Sequence, residues 1–146
     1  DTFSRAYKQI ETDPSTAIGL ANSALESIIK EIIKDVRIAS KVKGSETLYK
    51  LSSIILKEFN LTNIDLPKEI KTIGNSLLTI NQAIEKLRSE KTNFHGKTND
   101  DYLIEDSIYT YFVINSVATV GLFLNTFYKT KFPTPEPEID EDDFPF

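Results

Sequence analysis

Residues 12–36 read TDPSTAIGLANSALESIIKEIIKDV, and the fold turns on whether this stretch is one amphipathic helix. Aspartate followed by proline is a helix start. Asp13 can accept a hydrogen bond from the free N–H groups of the first turn, and Pro14 at the first helical position has no N–H to lose. Beyond it, Ala17, Ala21, Ala24, Ile28, Ile32 and Val36 recur at steps of three and four, which lines one face of a 3.6-residue helix. The spacing predicts a long amphipathic helix, with a shorter one over residues 2–11 before it.

Downstream, SKVKG (40–44) breaks the pattern, and Ser45 is expected to cap a helix carrying Leu48, Leu51, Ile55 and Phe59 inward. NLTNIDLP (60–67) reads as a connector. Pro67 opens a further helix with Ile70, Ile73, Leu77, Ile80, Ile84 and Leu87 inward, ending near Gly96. After the polar loop GKTNDD, a last helix is expected from about Leu103 to Lys131. No alternating β-branched runs are bounded by tight turns, so strand signals are weak. The fold class is all-α, a helical bundle with four main helices. The last helix has no charged residue from Ser107 to Tyr128, long enough to cross a bilayer. Its Asn115, Ser116, Asn125 and tyrosines argue against a membrane span. They predict a helix buried on most sides, in the bundle or against a second subunit.

At 146 residues the chain fits one domain, and 40% apolar with 27% charged residues is ordinary for a globular protein. Having no cysteine excludes disulfides, thiol nucleophiles and thiolate zinc sites; with a single histidine, no metal site and no cofactor are expected. The chain lacks an initiating methionine, which predicts a fragment or a processed product. Its start lacks the basic-then-apolar form of a secretion signal, which predicts a cytoplasmic location. The net charge of -5 is unevenly spread. Glu136, Glu138, Asp140, Glu141, Asp142 and Asp143 put a charge of −6 near the end, and the rest carries +1. We therefore divide the chain into a helical domain, residues 1–131, and a Pro-rich acidic tail, residues 132–146.

Arg88 and His95, the lone histidine, stand seven residues apart. On a helix that is nearly two turns, so both side chains leave one face about 10 Å apart along the axis. Facing an identical pair across a two-fold axis, they would close a composite pocket suited to a phosphate. A helix C-terminus would also favour the imidazolium form of His95. The plainer alternative pairs Arg88 with Glu85 one turn back and leaves His95 as a helix cap.

Four segments carry a resemblance. DPSTAIGLANSALESIIKEII, LYKLSSIILKEFNL, IGNSLLTINQAIEKLRSEKTNFHGK and YFVINSVATVGLFLNTF resemble, in order, the helices of the C-terminal domain of bacterial abortive-infection proteins, within the HEPN superfamily of RNA-cleaving helical domains. The third looks like the family's Arg-to-His motif with its following glycine. The resemblance implies a metal-free endoribonuclease of an abortive-infection or toxin-type system, working as a homodimer on an RNA substrate. The 2′-hydroxyl would attack the adjacent phosphate, leaving a 2′,3′-cyclic phosphate and a 5′-hydroxyl. His95 would handle the proton and Arg88 would stabilise the phosphate charge. Ser89 stands where the family usually has Asn or Asp, and Asn93 where it usually has an acid; both are read as supporting residues. Lys91 and Lys97 flank the motif and are candidates for RNA backbone contact. The alternative is an inactive HEPN-like module that recruits a partner through its tail.

That tail, TKFPTPEPEIDEDDFPF (130–146), changes composition abruptly. Pro133, Pro135 and Pro137 stop the helix and favour an extended strut. Asp142, Asp143, Phe144, Pro145 and Phe146 look like the acidic tip of bacterial single-stranded DNA-binding proteins. The resemblance implies docking, with Phe146 in an apolar pocket and the aspartates on a basic rim, either on a protein partner or on the chain itself.

Overall fold

The computed structural model describes residues 3–59, 61, 65–90 and 106–134. Six helices form: α1 (Ser4–Gln9), α2 (Pro14–Ile32), α3 (Val36–Ala39), α4 (Leu48–Glu58), α5 (Lys68–Glu90) and α6 (Ser107–Lys131). Among the described residues there is no strand, so the chain is the all-α bundle that its periodicity predicts. The four longer helices are the expected ones, α1 is the expected shorter helix before α2, and α3 is a short addition after it.

α2 is the axis of the bundle. It packs most extensively on α6 and also touches α1, α4 and α5. Its start follows from the sequence: Asp13 Oδ1 accepts from the Thr16 backbone N–H at 3.2 Å and Oδ2 from the Thr16 hydroxyl at 2.7 Å. These hydrogen bonds hold the Asp13 carboxyl below its ordinary range. Ala17, Ile18, Ala21, Leu25 and Ile29 are sealed against Ile114, Val117, Val120 and Leu124 of the core. Gly121 keeps this contact close, because a Cβ there would lie 3.0 Å from Ile28 Cδ1 of α2 and 2.9 Å from Phe3 Cζ.

Four expectations are corrected. α2 stops at Ile32 and does not run on to Val36, which is 80% exposed. Asp35 takes an extended backbone and accepts from the Arg37 N–H at 2.9 Å, starting α3 afresh. Thr47, not Ser45, caps α4, accepting from the Lys50 N–H at 3.2 Å. Ser45 is instead part of a turn in which Glu46 accepts from the Lys43 and Gly44 N–H groups, with Gly44 left-handed at φ 101.

Ile70 and Ile73 are not inward. They are 42% and 61% exposed, because the first turns of α5 stand off from α6 and leave an apolar cavity. Finally, α6 buries one face only. Ile108, Phe112 and Leu122 are 67%, 71% and 68% exposed on a face that α1 only borders, through Tyr7 and Asn115. By length and composition α6 could cross a membrane. Here it packs along α2 as a core helix of the bundle. It begins at Ser107, where Asp106 accepts from the Ile108 N–H at 3.0 Å; Leu103 lies outside the described residues.

Candidate functional site

The candidate motif lies at the C-terminal end of α5. Along that helix Leu77, Asn81 and Ile84 form one inward row, 8%, 2% and 3% exposed. Arg88 follows Ile84 by four residues, so its Cα continues the same row. The cavity between α5 and α6 is lined by Ile70, Ile73, Gly74 and Leu77 on one side and Phe123 and Phe127 on the other. The N-terminal half of α5 therefore meets the C-terminal half of α6, and the pair is antiparallel. At 1.5 Å per residue, Arg88 stands about 16 Å beyond Leu77, towards the N-terminal turns of α6.

Arg88 and Ser89 are in the last turn of α5. Lys91, Asn93, His95 and Lys97 lie outside the described residues, as do Asp142, Asp143, Phe144, Pro145 and Phe146 of the tail. The expected end of the helix near Gly96 lies outside them too.

Sequence reasoning passed over Asn81. It is buried in the inward row, and neither Oδ1 nor Nδ2 has a hydrogen-bond partner. An amide unpaired in this row costs about 1–3 kcal/mol unless water reaches it. Its position four after Leu77 and three before Ile84 was a signal available in the sequence. Asn22 Oδ1 and Ser52 Oγ are likewise buried without partners.

The most strongly perturbed acid is elsewhere. Asp35 Oδ2 accepts from Arg37 at 2.6 Å and from the Tyr128 hydroxyl at 2.8 Å, and Oδ1 accepts from Arg37 Nε at 2.9 Å. Hydrogen bonding by Arg37 is the main reason its carboxyl lies far below the usual range; the Tyr128 hydroxyl adds to it. Burial raises the Tyr128 phenol. Arg37 also donates to the Phe132 carbonyl at 3.2 Å and lies over the Phe132 ring, 4.9 Å from its centroid. The cluster fastens the end of α6 to α3. Among the described residues, no three His, Cys, Asp or Glu side chains gather as a metal site would need.

The described helices form an all-α bundle in which α5, carrying Arg88 in its last turn, packs on α6. The Abi_C family, a HEPN-like domain, matches residues 1–128, and the chain belongs to it: an abortive-infection C-terminal domain. The match includes both Arg88 and His95. No solved structure matches the chain.

Proposed function

We propose that this domain is a metal-independent endoribonuclease of an abortive-infection or toxin-type anti-phage system, acting as a cytoplasmic homodimer. The observation that carries the reading is the position of Arg88. It ends the inward row of α5, seven residues before the only histidine, within the span matched by the family. In the reaction, the RNA 2′-hydroxyl oxygen forms a bond to the adjacent phosphorus and the bond to the 5′-oxygen breaks. The 2′-hydroxyl loses its proton and the departing 5′-oxygen gains one, leaving a 2′,3′-cyclic phosphate. His95 serves this proton transfer. Arg88 stabilises the crowded equatorial charge with two parallel N–H donors, Ser89 and Asn93 support the pair, and Lys91 and Lys97 hold the RNA backbone.

The test is cleavage of RNA in EDTA, with the product ends identified. Wild type should leave cyclic-phosphate ends, and His95→Ala should lower the rate by about 10²–10⁴-fold, the usual worth of a positioned acid–base group. Arg88→Ala should lose a similar factor. Equal residual cleavage in wild type and both variants overturns the reading.

One observation favours a second reading. Ser89 reaches less far than the family's usual Asn or Asp, and Asn93 cannot hold an imidazolium by charge as an acid would. A chain inactive for this reason would serve as an interaction module that recruits a partner through its tail.

A further inference from the structure

The α5–α6 cavity has no part in the proposed reaction. Its floor is Leu61 against Gly74, where a Cβ would come within 3.2 Å of Leu61 Cβ. Leu77, Phe123 and Phe127 form the walls, and the exposed Ile70 and Ile73 form the lip. The volume is about 280 Å³. An apolar hole of roughly 150 Å³ already accepts a benzene ring, so this one holds an aromatic side chain with room to spare.

Charge around the mouth is mixed. On α5, Lys71 and Glu69 stand on either side of the Ile70–Ile73–Gly74–Leu77 face, and Lys68 projects from the far side of the helix. Lys131 closes the other side, its Nζ 5.9 Å from the centroid of the Phe127 ring that walls the cavity. The same chain supplies a complementary ligand. Residues 136–143 hold six carboxylates and run directly into Phe144-Pro145-Phe146.

The distances also fit. α6 ends at Lys131, one turn past Phe127, so the tail departs beside the cavity. A Pro-rich strut over 133–137 advances about 3.1 Å per residue, roughly 15 Å in all. The six residues 138–143, at up to about 3.3 Å each, are enough to return over that span.

We propose that the tail folds back on its own chain. It seats a phenylalanine of the Phe144-Pro145-Phe146 segment in the α5–α6 cavity and lays its carboxylates along Lys71 and Lys131. Tethering makes the encounter intramolecular, at an effective concentration in the millimolar range, so a shallow site suffices. The docking position is at the N-terminal end of α5, about 27 Å along the helix from Arg88. The tail therefore leaves the motif open, and this inference stands or falls apart from the cleavage reaction.

The chain has no tryptophan, which allows a direct test in the full-length protein. Phe144→Trp and, separately, Phe146→Trp each create a single reporter. In at least one of them, emission should be blue-shifted and acrylamide quenching weaker than for the same tail as a free peptide. Adding Ile73→Asp at the lip should return both readings to the peptide's values, with the helical circular dichroism retained because Ile73 is exposed. Ile70→Asp serves as the second variant. Raising the salt should loosen the protected reporter, since the lysine contacts are at the surface. Peptide-like emission from both reporters overturns the proposal. So does protection that survives both lip substitutions, or protection that appears only as protein concentration rises, which would mean docking on a second copy.

Discussion

The Asp35 carboxylate holds three donated hydrogen bonds from Arg37 and one from Tyr128, a residue 93 positions away. Its side chain is 8% exposed and that of Arg37 40%. The bond network favours the ionised form in the folded chain only, so the folded pKa lies below the unfolded one. A lowered carboxyl pKa gives stability that is complete above the unfolded value of about 3.9 and fades as the pH falls towards the folded value. Asp35→Asn should therefore lower the urea midpoint at pH 7, and the gap from wild type should narrow steadily below about pH 4. Matched denaturation curves at pH 7 and pH 3 check this; a gap of constant size would mean that the amide is lost for its shape and not its charge. The same residue explains why α2 was not fully legible. Hydrophobic spacing carries straight on to Val36, but the Asp35 side chain offers the Arg37 N–H a local partner in place of a helical carbonyl. Tyr128 then fixes that choice from across the sequence, where periodicity cannot see it.

α6 states the element's problem most clearly, since its sequence is apolar nearly all round but only one face is covered. The length of α6 and its lack of charge were legible, whereas the Asp106 cap was not read from the sequence. Orientation was not legible either, because an uncharged helix has almost no contrast between its faces to read. The four main helices were legible because Asp13-Pro14 and the three-and-four spacing are local signals. The lip of the α5–α6 cavity was not: Ile70 and Ile73 fit the inward spacing, and only the stand-off of α5 from Phe123 and Phe127 exposes them. Of the candidate site, the Arg88 register was legible from Leu77 and Ile84, whereas the unpaired state of Asn81 needed its neighbours. The two faces of α6 should respond differently to truncation. Ile114→Ala, at a fully buried position, should cost about 2–5 kcal/mol of unfolding free energy. Tyr109→Ala, 57% exposed, should stay within about 0.5 kcal/mol. Chemical denaturation of the two variants side by side measures the contrast.

For the whole molecule, the uncovered face of α6 bears on how two Arg88 motifs could share one cleft. Ile108, Phe112, Asn115, Thr119, Leu122 and Thr126 follow one another at alternating steps of four and three, so they form a single stripe about 27 Å long. The stripe carries no charge, and a second copy can pack on it without stranding an unpaired ion. Asn115 on the stripe is already held by the Tyr7 hydroxyl at 2.6 Å, which joins α1 to the same surface. Because α5 runs antiparallel to α6, its Arg88 end points to the Ile108–Phe112 end of the stripe. A two-fold axis near those turns would bring both motifs to one groove, as the proposed reaction requires. Phe112→Asp, at a 71% exposed position, should leave the fold intact, convert the proposed dimer to a monomer and abolish the proposed cleavage together. Sedimentation mass, circular dichroism and the RNA assay on one preparation test all three. A variant that remains dimeric would remove this face from the interface. A monomer that still cuts RNA at the wild-type rate would show that one Arg88–His95 pair is enough, and the composite cleft would go with it.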